Sequence, residues 1–532
     1  MNLTANRLCL LVAAWIVATA NGTFWRLLFK LQPMNGHGWL FAGSLALAML
    51  GLNLFLLRLL SPGRAIRVTL SILVVLAAAT GWFMDTYGVA IDSDMLRNVF
   101  QTNPAEARDF LGWPLLWRLL WQAGVPMVLI WRARLPLSTW GRSLREYVLG
   151  MLAGLALLFG AGLPMYSSYA SFFRNQDVAR YFITPANVLV GSTTLVRKTL
   201  HGRQPYIKVG EDARRVPVKE ARPLLVVLVV GETARAANFS LGGYARETNP
   251  LLKQKGVFYY TDVHSCGTAT AVSVPCMFSD LPRSEFKLSA ADHRDSVLDI
   301  LQRAGLAVSW IDNQSGCKKV CARVLTETAQ SYHPESCKDG ECLDDALLYA
   351  LAAQLAQTQR DRVIVLHAMG SHGPTYHRRV PPEREVFKPI CPTQQIETCT
   401  DTQIVNSYDN SIVYTDYVLA GLIDQLAAQS AHIDTVLLYV SDHGESLGEN
   451  GLYLHGQPYL IAPEIQKKVP MLLWFSAGAP ARLKLDTACL RSHLNDAVSH
   501  DNVSHTLLGL QDVTTSAYRP DLDLLRACRS LR

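Results

Sequence analysis

The sequence predicts two parts: an N-terminal transmembrane domain of five helices, then a soluble α/β domain whose mostly parallel sheet is flanked by helices. Three observations predict this. Long apolar runs fill the chain up to about residue 170 and stop there. Beyond that point short unbroken apolar runs alternate with segments of helical period, the pattern of strands buried on both faces and joined by helical crossovers. Ten of the eleven cysteines also fall in this second part. A length of 532 residues exceeds one ordinary core, so more than one domain is required.

Five segments are long and apolar enough for a bilayer core of ~30 Å, which takes about 20 helical residues. They run near Leu8 to Leu28, Trp39 to Leu60, Ile66 to Tyr87, Trp113 to Trp131 and Val148 to Pro164. The first is read as an anchor, because no small-residue cleavage site follows it and further spans do. Arg58, Arg64 and Arg67, and then Arg132, Arg134, Arg142 and Arg145, mark the cytoplasmic loops. An odd number of crossings places the second domain on the other side of the membrane. The expected borders are 1–168 for the membrane domain, 169–220 for a bridging segment and 221–532 for the soluble domain. In the stretch Met165 to Leu189, Tyr169, Phe172, Phe173 and Arg174 suit a membrane interface, and equally an amphipathic linker.

Cysteine spacing fits that topology. Cys266 and Cys276, Cys317 and Cys321, Cys337 and Cys342, and Cys391 and Cys399 are close neighbours that clip short loops, with Cys489 and Cys528 as a fifth bridge and Cys9 left over. The net charge of +6 and pI near 8.7 suit an anionic membrane surface. The basic residues form no aromatic-interleaved patch, so nucleic acid is not an expected partner.

The apolar runs at 224–233, 307–313, 362–370, 435–442 and 469–475 are the expected strands. In such sheets ligands gather at the carboxyl ends of the strands. That rule brings together Glu232, Asp312 with Asn313, His367 with His372, and Asp442 with His443. YVSDHGESLGENGLYLH, from Tyr439 to His455, concentrates Asp442, His443, Glu445, Glu449 and His455, with Gly444 and Gly448 allowing the backbone to turn. Glu232, Asp442 and His443 are enough to hold one Zn²⁺ with a position open, and His372 and His455 to hold a second ion or the substrate. CGTATAVSVPCMFSD supplies three hydroxyls, Thr268, Thr270 and Ser273, inside the Cys266 to Cys276 clip. Spacing alone does not choose among them.

Taken together, VVGETARAANFSLGGYARETNP, CGTATAVSVPCMFS, DNQSGCK, LHAMGSHGP, YDNSI and YVSDHGESLGENGLYLHG resemble the phosphoethanolamine transferases that modify lipid A. That family is membrane-anchored, belongs to the alkaline phosphatase and sulfatase superfamily, and includes the mobile colistin-resistance enzymes. The resemblance implies a zinc-dependent transfer from phosphatidylethanolamine to a lipid A phosphate, in the bacterial inner membrane with the catalytic domain in the periplasm. It makes Thr270 the nucleophile and a zinc ligand beside Glu232, Asp442 and His443. It assigns His372 and His455 to a second zinc or the phosphoethanolamine group, and Lys318 to the substrate phosphate. In NVFQTNPAEA it implies lipid contacts at Asn98, Thr102 and Glu106. Asn103 stands where many relatives have an acid, and Lys319 where Gly often follows the Lys. The same residues would serve a phosphoethanolamine or phosphoglycerol transferase with another envelope acceptor, such as a core sugar, Kdo or a protein. A non-catalytic membrane protein on this fold would lack a metal ligand or the hydroxyl, and none is missing.

Overall fold

The computed structural model describes residues 2–102, 104–135, 139–200, 205–215, 221–338, 340–358 and 360–530. The chain divides into a helical unit, Met1–Leu96 with Phe110–Val196 and Gly451–Tyr453, and an α/β unit, Arg97–Asp109 with Arg197–Asn450 and Leu454–Arg532.

In the helical unit the first apolar run makes α1 (Ala5–Thr19) and α2 (Gly22–Leu31), bent by 56°. Asn21 lies fully buried at the break, donating to the Ile16 carbonyl at 2.9 Å and accepting from the Thr184 N–H at 2.8 Å. Its side chain thus adds to the Ala20 N–H bond at the Ile16 carbonyl and ties the bend to Thr184. Next come α3 (Gly36–Leu60) and α4 (Ile66–Tyr87); α5 (Ser93–Gln101) then runs from this unit into the α/β unit, to which α6 (Pro104–Asp109) belongs, and α7 (Trp113–Gln122), α8 (Gly124–Arg132) and α9 (Trp140–Gly162) return to the helical unit. Among the described residues three helices are long and apolar enough to span a membrane, Gly36–Leu60, Ile66–Tyr87 and Trp140–Arg174, or four if the bent pair is one span.

The expected span Trp113 to Trp131 does not meet that measure, because it falls on the two shorter helices α7 and α8. Pro126 has no N–H to donate to the carbonyl four residues back. That carbonyl, of Gln122, accepts instead from the Trp15 indole at 2.7 Å. α3 and α9 meet backbone to backbone through glycine: a Cβ on Gly51 would lie 2.5 Å from the Leu158 nitrogen, and one on Gly154 2.7 Å from the Phe55 nitrogen. Small residues at such crossings let helices associate where no hydrophobic force separates protein from lipid. Phe172, which the sequence suits equally to a membrane interface or an amphipathic linker, is buried with its ring 5.7 Å from Phe41 and 6.5 Å from Phe24.

The α/β unit is built on a seven-stranded mixed sheet. Its strands are β1 (Leu224–Gly231), β2 (Phe258–Tyr260), β3 (Ala307–Asp312), β4 (Leu325–Thr328), β5 (Arg362–His367), β6 (Asp434–Ser441) and β7 (Met471–Phe475). In space they run β2-β7-β6-β1-β5-β3-β4. The five from β6 to β4 are parallel, and β7 is antiparallel to both β6 and β2. Every residue of β1 and β6 is buried, as their unbroken Val and Leu runs require of strands covered on both faces. Register aligns the carboxyl ends: Gly231 pairs with Ser441, Val230 with His367, and Asp312 with His367. The residues that follow therefore emerge side by side. The five expected disulfides form, and Cys9 stays free and buried.

Candidate metal centre and active site

Glu232 follows β1, and Asp442 and His443 follow β6; all three are completely buried. His443 Nε2 lies 3.3 Å from Glu232 Oε1 and 3.3 Å from Asp442 Oδ2. Its other nitrogen, Nδ1, bonds the Gly444 carbonyl at 3.0 Å, which fixes the ring and leaves Nε2 for the centre. The turn depends on Gly444, because a Cβ there would collide with the Ile465 carbonyl. Asp442 Oδ1 accepts from the N–H groups of Thr233 (3.1 Å) and His443 (2.7 Å), while its Oδ2 is buried without a hydrogen bond.

Two carboxylates and an imidazole nitrogen thus offer lone pairs to one dry point, within 4.8 Å of one another. Burial and the Glu232 charge push Asp442 up to about 7. Burial also opposes the charges of Glu232 and His443, yet their mutual attraction prevails. It holds Glu232 well below the usual carboxylate range and, with Asp442, pushes His443 up to about 10. A proton shared by the three relieves part of this strain, and a divalent cation relieves all of it. The hard oxygen and imidazole donors and the orphaned Asp442 oxygen fit such an ion.

Thr270 opens the helix Thr270–Met277, and its Oγ1 lies 3.1 Å from Glu232 Oε2 and 3.5 Å from His443 Nε2. The other two hydroxyls are engaged elsewhere. Thr268 donates to the Gln457 carbonyl at 2.5 Å, and Ser273 accepts from the Gly267 N–H at 2.9 Å. The loop before the helix is tied down by the Cys266–Cys276 bridge and by buried His500. His500 Nδ1 accepts from the Cys266 N–H (3.1 Å), and its Nε2–H donates to the Ser441 carbonyl (2.9 Å), next to Asp442.

His372 and His455 are both buried beside this group, their rings 5.5 Å apart, with the His455 ring 4.3 Å from that of His443. Glu445, grouped by sequence with the ligands, serves His455 instead: its Oε2 accepts from Nδ1 at 2.8 Å and its Oε1 from the Tyr376 hydroxyl at 2.6 Å. Glu449 leaves the cluster to pair with Arg235 at 2.6 Å. Asp312 and His367 pair with each other at 2.8 Å, and Asn313 donates to Asp344 at 2.8 Å. These three stand at strand ends outside the ligand group.

Lys318 has a positive φ of 49°, and its Nζ donates to Ser315 Oγ at 2.7 Å. In the same loop Gln314 donates to Glu232 Oε2 at 3.0 Å, a contact the sequence reading missed although it lies inside DNQSGCK. Thr233 was missed as well; at φ 59° it donates to Glu232 Oε1 (2.6 Å) through its hydroxyl, besides its N–H bond to Asp442. The Thr102 hydroxyl donates to the Asn98 carbonyl on α5 at 2.9 Å, and neither residue bonds the ligand group among the described residues. The Glu106 side chain and Asn103 lie outside them.

Residues 49–200 match the family described as phosphoethanolamine transferase EptA/EptB, and residues 225–513 match the sulfatase family. The chain is 41% identical over 527 residues to the phosphoethanolamine transferase EptA of Escherichia coli K12, covering 98% of this chain and 96% of that one. The chain belongs to the phosphoethanolamine transferase family. It is also 35% identical to the phosphatidylethanolamine transferase Mcr-1 of Escherichia coli, over 97% of this chain and 96% of that one. Among solved structures it is similar to the integral membrane lipooligosaccharide phosphoethanolamine transferase A of Neisseria meningitidis. That match has a TM-score of 0.96 and 34% identity and covers all of both chains. A sulfatase-family α/β domain and the N-terminal region of the phosphoethanolamine transferase family are thus both present.

Proposed function

We propose that the chain transfers phosphoethanolamine from phosphatidylethanolamine to a phosphate of lipid A through a covalent phosphothreonine at Thr270. The observation that carries this reading is the Thr270 hydroxyl, 3.1 Å from Glu232, at the point where the lone pairs of Glu232, Asp442 and His443 converge. These residues would hold zinc, which when bound supplies a Lewis acid to the phosphoryl oxygens and acidifies the threonine hydroxyl.

Thr270 Oγ attacks phosphorus, the bond to the diacylglycerol oxygen breaks, and that oxygen takes up a proton. Phosphoethanolamine is left on the threonine. An oxygen of the acceptor phosphate then attacks the same phosphorus and frees Thr270. Two bulky lipids thereby use one site in turn. Thr270 starts a helix, whose N-terminal dipole favours the phosphoryl anion. Glu445 and Tyr376 fix the His455 ring, and His372 and His455 receive the head group or a second zinc. Lys318 pairs with the substrate phosphate, and Asn98, Thr102 and Glu106 contact lipid.

In this reading 1–168 form the membrane domain with five crossings, the α1–α2 pair and the α7–α8 pair each counting as one. Residues 169–220 form the bridge, and 221–532 the periplasmic catalytic domain of an inner-membrane enzyme. Each transfer adds an ammonium to an anionic surface and weakens its attraction for cationic peptides such as polymyxins. The test compares, by mass spectrometry, lipid A from a susceptible host expressing the intact chain with lipid A from one expressing Thr270→Ala. A phosphoethanolamine increment is expected with the intact chain alone. Unmodified lipid A from a host holding the intact, zinc-loaded protein would redirect the reading to another envelope acceptor.

A further inference from the structure

Asp109 ends α6, and only 2% of its surface is exposed. A carboxylate taken so far from water needs several partners. Thr375 Oγ1 donates to its Oδ2 at 2.6 Å, Arg379 Nη2 reaches the same oxygen at 3.4 Å, and Arg378 Nη1 donates to Oδ1 at 3.1 Å. Burial still pushes the acid's pKa up against the pull of Thr375 and Arg379. Arg379, itself 5% exposed, is the hub. Its Nη1 donates to Glu341 at 2.8 Å, and its Nε to the backbone carbonyl of His372 at 2.9 Å. One rigid guanidinium therefore joins the end of α6 to the main chain of His372. In sequence α6 belongs to the loop between the apolar helices α4 and α7, far from His372. No step proposed above uses Asp109 or Arg379.

We propose that Asp109 is a positioning residue: through Arg379 it holds the backbone of His372, so that a loop between two membrane-domain helices sets the place of a residue that handles the head group. The proposal rests on the reading of His372 as a substrate or second-zinc residue. A loop with this role affects turnover even of a substrate that has no lipid tail.

The experiment uses the full chain in detergent with two substrates, phosphatidylethanolamine and a water-soluble nitrophenyl ester of phosphoethanolamine. Melting temperature and bound zinc are recorded for each variant. Asp109→Asn keeps size and loses charge, and is expected to lower kcat about tenfold on both substrates, with KM within about twofold. Arg379→Lys keeps the charge but loses the fork, and should show the same fall. The double variant should be no slower than either single one, within about twofold, because both lesions cut one connection. Thr375→Val, a smaller lesion in the network, stands in if Asp109→Asn does not accumulate. Normal turnover of the soluble ester by Asp109→Asn, beside an impaired His372→Ala, would overturn the proposal alone. So would a double variant slowed by the product of the two single effects. Full turnover by His372→Ala would overturn the assignment of His372 itself, and the proposal with it.

Discussion

Two acid and histidine pairs stand at the carboxyl ends of strands in the same sheet, Asp312 with His367 and Asp442 with His443, and in sequence they look alike. In the first pair both carboxylate oxygens are spoken for. Asp312 Oδ1 takes His367 Nδ1 at 2.8 Å and the Trp310 indole at 3.0 Å, and Oδ2 takes the Gly316 N–H at 2.9 Å. Burial opposes its charge, but these partners outweigh it and hold the acid below its usual pKa. In the second pair one carboxylate oxygen has no donor, a second carboxylate crowds in, and the imidazole nitrogen faces them both. The carboxylate of the first pair is closed, with only the outer nitrogen of its partner, His367 Nε2, buried without a hydrogen bond. The second is open, and its unused lone pairs suit a divalent cation. Which residue types meet matters less than how many of their lone pairs remain unused.

The sharpest way to break this contrast is at the Thr270 hydroxyl beside the open pair. Thr270→Ala should lower transfer roughly a thousandfold or more, with a melting temperature within about 2 °C of the parent, read by product mass spectrometry and calorimetry. Near-normal transfer would move the nucleophile away from the open pair.

Next comes a swap of roles. Asp442→Asn should abolish bound zinc and activity, and added zinc should no longer raise the melting temperature. Asp312→Asn should retain zinc but cost about 1–3 kcal/mol in stability, by weakening a buried charge-assisted network. Metal analysis with urea unfolding reads both variants. If Asp312→Asn loses zinc too, the closed pair is not independent of the metal.

A third test uses His500, which ties the nucleophile loop to β6. Burial, and then the His443 charge, lower its pKa from 6.5 to about 4. The neutral ring contributes stability that is whole above pH 6.5 and is lost as pH falls toward about 4, since only the unfolded chain takes up the proton in that window. The loss is on the order of 3 kcal/mol. Unfolding midpoints across that range should fall more steeply for the parent than for His500→Gln. Equal slopes would remove His500 from the acid response.

The smallest effect belongs to Glu449, a member of the same sequence cluster that points away to Arg235. Its side chain is 42% exposed, so Glu449→Ala should change stability by less than about 1 kcal/mol and leave turnover intact. A large loss of zinc would return Glu449 to the site.

What the sequence made legible followed from rules of direction and period. Unbroken apolar runs placed five of the seven strands and missed the short edge strands Phe258–Tyr260 and Leu325–Thr328, and the strand-end rule then brought Glu232, Asp442 and His443 together. The same rule added Asp312, Asn313 and His367, because it says where residues emerge and nothing about which of their atoms are already bonded. Choosing Thr270 over Thr268 and Ser273 needed the family resemblance, since the partners that engage the other two, the distant Gln457 carbonyl as acceptor and the Gly267 N–H as donor, are set only in the folded loop. Gln314, Tyr376 and His500 were invisible for the same reason: their partners lie 82, 69 and 234 positions away. In the helical unit, apolarity found the run from Trp113 to Trp131. The break at Pro126 was written in the sequence, and its repair by the Trp15 indole was not.

The Cys266–Cys276 bridge, which closes the loop ahead of Thr270, gives the enzyme a schedule. While this segment remains in a reducing compartment the bridge does not persist. Oxidation, where the compartment allows it, closes the loop from Cys266 to Cys276 around Thr270. A host deficient in oxidative folding would therefore leave that loop unclosed.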